Sequence, residues 1–429
     1  MNHRLLYTNP AILTRGINAR QCLMIFFAAS WMIVPIRAQT TLTILHNFGD
    51  GTVTNDGIIS YTGTTQDSAG NFYGTTYSGG ATNDGTIFRI SPDGSETMLH
   101  SFGANGDATD GTCPQAGLIK DRDGNFYGTT HSGGSTDQGT IFRVTPSGSE
   151  TILHCFGDGS IKNDGTGPKA GLIQGSDGIL YGTTSAGGSA SAGVVFKITM
   201  DGAETILHNF GDGSTPNDGV GPQASLTQSS DGNFYGSTVT GGSKNKGTIF
   251  RISPSGTMTI LHSFGSILND GASIQSALIQ GATGDFYGTT PFGGSVNKGV
   301  IFKIASSGIV TILHSFGDGS IRNDGNDPQA ALIQGSNGDF YGTTYSGGST
   351  DHGTLFETSP AGLITILRSF GDGSMVYDGR NAQGSLTQDS EGHLYGTTAT
   401  GGTANDGTFF EIRVSADLHN FTANTQQAY

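Results

Sequence analysis

Two residue types recur along the chain at a spacing that could do chemistry. Asp56, Asp110, Asp164, Asp218, Asp270, Asp324 and Asp378 each stand before a glycine in what reads as one recurring loop. On a closed ring these carboxylates would form a circle of hard oxygen donors on one face, the kind that holds Ca²⁺. The competing reading is turn chemistry, each Asp capping its own backbone. The short ligand alternation of a calcium loop is missing, and Asp121-Arg122-Asp123-Gly124 is its nearest approach. Turn chemistry is therefore the expectation, with Ca²⁺ the candidate cofactor. The second set is His46, His100, His154, His208, His262, His314 and His419, each within Leu-His-x-Phe, with Arg368 filling an equivalent slot. A ring of imidazoles suggests a transition-metal or proton-relay site. A guanidinium offers no lone pair to a metal, however, and Ile152, His154 and Phe156 alternate as if on one strand face. That pattern predicts structural, hydrogen-bonded histidines packed between sheets.

Other chemistry is thinner. Gly79-Gly80 and its equivalents follow and precede strand-like runs, so no helix N-terminus is available to cradle a phosphate. The Tyr of each Tyr-Gly-Thr-Thr would stack on a sugar if exposed, but strand alternation puts it in the packing. An enzyme would need residues that break the repeat, and the candidates are His131, His352, Arg380 and His393. They form no recognisable acid–base pair. No catalytic residue is assigned, and a non-catalytic binding or scaffold module is expected ahead of an extracellular polysaccharide hydrolase or lyase. Trp31, the one tryptophan, lies in the N-terminal segment, which disfavours a quinone-dependent dehydrogenase and a Trp-platform lectin.

The elements that must position these residues are strands. Seventy-one glycines in 429 residues, without a collagen period, argue for many tight turns. No sustained 3.6-residue apolar period occurs after the N-terminal segment, so helices should be scarce. Tyr-Gly-Thr/Ser-Thr begins at Tyr73, Tyr127, Tyr181, Tyr235, Tyr287, Tyr341 and Tyr395, at spacings of 54, 54, 54, 52, 54 and 54. One unit predicts strands over 116–119, 125–130, 139–144 and 151–156, joined by Asp-Gly, Gly-Gly and Ser-Gly turns. Four short antiparallel strands repeated seven times make an all-β, seven-bladed β-propeller with about 54 residues per blade. Residues 41–48 read as a fourth strand with no first three. They, or the C-terminal copy over 417–421, complete the last blade and remove a raw edge. Cys113 and Cys155 fall at opposite ends of one blade's strand order and are expected to stay unpaired.

Units reading Asp-Gly-Asn-Phe-Tyr-Gly-Thr-Thr, then Gly-Gly, then Gly-Thr-Ile-Phe-Arg-Ile, then Leu-His-Ser-Phe-Gly resemble the bacterial GloVer (Gloeobacter/Verrucomicrobia-type) tandem repeat, over residues 41 to about 421. The resemblance implies secretion and architecture rather than an activity, in a group whose C-terminal anchors vary. Here Thr-Ala-Asn-Thr-Gln-Gln-Ala-Tyr follows Phe421 without an apolar tail or sorting motif, which puts anchoring in doubt. In length and in its Gly-Gly the unit is also similar to kelch repeats, though without their Trp.

Compartment and partners follow from the ends and the charge. Arg4, Arg15 and Arg20 precede the apolar run 22–36 and then Ala38, the order of a secretory signal peptide. The run is shorter than a spanning helix wants. Residues 1–38 are thus expected to be a signal peptide, 39–421 the propeller and 422–429 a short tail. The chain carries a formal charge of −15, and residues 1–38 hold four of its basic residues and no acid, so the remainder is more acidic still. Nucleic acid is excluded on that ground. The expected protein is a secreted or surface monomer with no membrane span after cleavage and a glycan or surface protein as ligand.

Overall fold

The computed structural model describes residues 40–104 and 106–414, and everything below concerns those residues; the N-terminal segment, His419 and the 417–421 copy lie outside them. Seven four-stranded antiparallel sheets form a seven-bladed β-propeller, with no helix among the described residues. In the second blade the strands are Ile119–Lys120, Phe126–Thr130, Thr140–Val144 and Glu150–Cys155. Each falls within a residue or two of its predicted place, except that the first is shorter. The same four-strand order repeats in the other blades.

Ring closure uses the N-terminal strand. Thr40–Asn47 pairs antiparallel with Thr408–Val414, from Thr40 opposite Val414 to Asn47 opposite Thr408. The last blade's outer place is therefore filled from the far end of the chain, and its edge is covered. Side chains repeat the closure nearer the axis. Thr75, Thr129 and Thr289 each donate a hydroxyl to a carbonyl of the next blade, at Ala116, Ala170 and Ala330. Thr397 completes the circle by donating to Thr62.

The core is split into seven apolar clusters, one between each pair of neighbouring blades. The repeated tyrosine supplies much of each. Tyr73 stacks on Phe126 at 4.1 Å and Tyr181 on Phe234 at 4.0 Å between ring centroids. Their hydroxyls, reaching the blade edge, bond to Asp67 and Asp177. The glycine after each tyrosine is a packing requirement. A Cβ on Gly128 would lie 2.5 Å from Phe142 Cζ and 2.8 Å from Leu118 Cδ2.

One expectation is corrected. The outer strand carries a β-bulge, because Ile141 pairs with His154 while Phe142 pairs with Ile152. The extra residue, Leu153, reverses the alternation. Ile152 packs toward the preceding blade, whereas Leu153 and Phe156 pack toward the following one. Ile152 and His154 thus face opposite ways, and His154 turns to the next blade.

Candidate functional site

The bulge brings the two recurring sets together. His208 Nε2 lies 2.9 Å from Asp218 Oδ2, His262 3.0 Å from Asp270, and His314 2.8 Å from Asp324. Arg368 makes the corresponding pair with Asp378 at 2.7 Å. Each aspartate also accepts the backbone N–H of a turn glycine, such as Gly157 on Asp164 at 2.7 Å and Gly265 on Asp270 at 2.7 Å. The seven carboxylates are thus engaged one blade at a time, each buried against an imidazole or a guanidinium and a glycine N–H.

Three interfaces carry more. His46 lies 3.4 Å from Asp56 and 2.5 Å from Glu96 of the neighbouring blade. His100 meets Asp110 at 3.4 Å and Glu150 at 3.0 Å, and His154 meets Asp164 at 3.1 Å and Glu204 at 2.8 Å. At the glutamate's place the other interfaces hold Met258, Val310, Ile364 and Leu42. Burial alone would lower the three histidines. Hydrogen bonds to the two carboxylates outweigh it and push His46 and His100 up to about 9 and His154 up to about 10. Burial pushes Glu96 up to about 7 against the pull of His46, and raises Glu150 and Glu204 as well.

One imidazole and two carboxylates are also the donors of a divalent-cation site. Here the imidazole and glutamate touch at hydrogen-bond distance, the geometry of a shared proton. The arrangement is a buried, hydrogen-bonded triad of one imidazole and two carboxyl groups. Sequence reasoning missed these glutamates because Glu96, Glu150 and Glu204 each stand four residues before the histidine of their own strand, His100, His154 or His208, while their partner is the histidine of the blade before.

An open site lies on the axis. A cavity of about 390 Å³ is lined by residues from all seven blades and so marks the channel mouth. One equivalent position from each blade rings it: Tyr61, Gln115, Lys169, Gln223, Gln275, Gln329 and Gln383. All seven are half-buried. Gln383 donates to Gln329 at 2.9 Å, and Gln329 to Asp327 at 3.0 Å. Two residues before each ring position the backbone is left-handed, at Ile59 (φ 60°), Cys113 (φ 55°), Ser273 (φ 57°), Asp327 (φ 58°) and Asn381 (φ 58°), with glycine in the other two blades. A β-branched residue at such a φ is strained. These carbonyls accept N–H groups from a third variable position: Tyr77 on Ile59, His131 on Cys113, Ser185 on Gly167, Tyr345 on Asp327 and Ala399 on Asn381. Tyr61 and Tyr77 lie 5.5 Å apart, rings tilted by 54°. Burial and the nearby Lys169 hold His131 below its ordinary value, and burial raises Asp327.

Of the four repeat-breaking candidates, His131 lies beside the ring, its Nε2 3.3 Å from where a Cβ on Gly167 would sit. His352 packs beneath Gly371, whose Cβ would lie 2.5 Å from His352 Cδ2. Arg380 is exposed beside Tyr377 and Met375, and His393 faces Asp389 at 3.3 Å and Glu411 at 3.2 Å. Cys113 and Cys155 are both free.

Fold and site together define a seven-bladed propeller with a polar axial cavity and buried ion pairs between its blades. The chain belongs to the Gloeobacter/Verrucomicrobia repeat family, whose description matches residues 32–228, 159–334 and 221–429. No curated protein matches it in sequence. Among solved structures it is similar in fold to virginiamycin B lyase from Staphylococcus aureus, at 16% identity over 88% of this chain and 100% of that one, TM-score 0.56. It is similar too to the extracellular domain of a hybrid two-component system from B. thetaiotaomicron, at 13% identity over 86% of this chain and 39% of that one, TM-score 0.55. Among the described residues no helix is long and apolar enough to cross a membrane.

Proposed function

We propose that the protein is a secreted or cell-surface binding module, non-catalytic, that holds its ligand at the mouth of the axial cavity. One observation carries this reading. The His–Asp or Arg–Asp pair recurs in all seven blades, whereas Tyr61 and Lys169 break a ring of five glutamines at the mouth, and the positions beside it carry residues as different as Ile59, Asp327, Tyr77 and His131. A ring that served architecture alone would have no reason to place its variation there, and loops on a rigid scaffold are where recognition is built. The export-type segment over 1–38 supports the compartment, and the likeness to the extracellular domain of a two-component system agrees with it. Residues 39–421 are then the working domain, and the buried aspartates and histidines serve the scaffold rather than Ca²⁺.

The test is a glycan array probed with the protein and with Tyr61→Ala and Lys169→Ala, alongside thermal melts. Binding that disappears in the variants while the melting temperature holds supports the reading; binding indifferent to both sinks it. His131, kept neutral beside Lys169, favours a second reading, an extracellular enzyme using the same mouth. Consumption of the bound saccharide, lost in His131→Ala, would establish that reading instead.

A further inference from the structure

Lys169 is the one cation among the seven ring positions, in a chain of net charge −15. It is half-buried in the cavity wall. Among the described residues no carboxylate pairs with it; the lysine and arginine ion pairs there are those of Lys303, Arg368 and Arg413. A lysine held in a cavity wall without a counter-charge favours an anionic group arriving from outside. The acidic exterior does not cancel this, since exposed charges more than about 10 Å away are screened at ordinary salt.

The rest of the wall says what carries the anion. Gln115 and Gln223 flank Lys169 on the neighbouring blades, and each carboxamide offers two N–H donors and an acceptor oxygen. Such a lining matches alternating hydroxyls and would leave an apolar ligand facing unpaired amides. Two blades from Lys169, Tyr61 in the cavity wall, with Tyr77 tilted against it, supplies aromatic surface for the C–H face of a pyranose. The cavity, about 390 Å³, falls within the range of small-ligand sites.

From this we infer that the axial cavity takes a saccharide bearing a carboxylate, a uronate-containing sugar. Lys169 pairs with the carboxylate, the flanking glutamines take ring hydroxyls, and the tyrosine pair covers one face of the ring. The inference rests on the axial reading above and names its ligand class.

Titration calorimetry on the purified protein tests it, using a panel of uronate disaccharides, digalacturonate among them, each set against its neutral methyl ester. Binding of at least one uronate is expected, weakened about ten- to hundredfold by esterification. Lys169→Met should remove the difference between acid and ester, Lys169→Arg should restore it, and a melt of each variant checks that the fold persists. Esters binding as well as acids, in a manner lost on Gln223→Leu but not on Lys169→Met, would overturn the carboxylate assignment and leave the axial site standing. If no uronate binds while neutral saccharides do so through the mouth, the ligand class is equally overturned. Saccharides binding with no response to any mouth substitution would overturn both.

Discussion

At the residue scale the buried triads set the pH response. His46, His100 and His154 have raised values when folded, so their stabilisation is complete below the ordinary histidine value and is lost as pH rises through about 9 to 10. Glu96 is also raised, to about 7. The folded state therefore prefers its protonated form, and that preference is lost as pH rises from the ordinary glutamate value through about 7. Turn aspartates such as Asp67 and Asp121, whose partners hold them below their ordinary value, act the other way and cost stability in acid. The melting temperature should thus peak in mildly acidic buffer and fall steadily toward pH 10; a rise from pH 6 to pH 9 would refute the assignment. Blades with Met258 or Val310 in the glutamate's place keep the His–Asp pair, so the glutamate is dispensable. Glu96→Met is expected to hold or raise the melting temperature at pH 8 and to flatten the pH profile. Asp56→Asn, which leaves the buried His46 with Glu96 as its one carboxylate partner, should cost about 1–3 kcal/mol in urea unfolding.

Elements were legible in the sequence to different depths. Strand count and order followed from period-2 runs between Asp-Gly and Ser-Gly turns, because turn chemistry and alternation are local properties. The bulge at Leu153 was not legible, since one extra residue in a strand leaves its composition unchanged while reversing every later side chain. The His–Asp pairing was hidden for the same reason, and the glutamates because their partners sit on another blade. The mouth was hidden too: Lys169 and Tyr61 appear in the sequence as two departures among many until the fold brings all seven equivalents onto one axis. Within the second strand the glycine is the most exacting position. Gly128→Ala should destabilise by about 1–3 kcal/mol through overpacking against Phe142 and Leu118, read as a lower urea midpoint at unchanged slope. An unaltered midpoint would mean that the close approach is relaxed in solution.

For the whole molecule, closure is the property that matters, because each blade buries its core only against its neighbours. The strand Thr40–Asn47 joins the two ends of that circle. Removing residues 40–47 should expose the edge of Thr408–Val414 and release Leu42 from its cluster. Size-exclusion chromatography is expected to show self-association through the open edge; a stable monomer that melts as before would mean that another segment closes the ring. A closed, rigid ring in turn fixes seven equivalent side chains around one axis, and on the proposed function this axis is where the ligand sits. Hydrogen–deuterium exchange with and without a bound saccharide tests it most directly. Protection is expected to be confined to the mouth segments, 59–63, 113–117 and 167–171 foremost. Protection along the outer strands or on the opposite face, with the mouth unchanged, would contradict it.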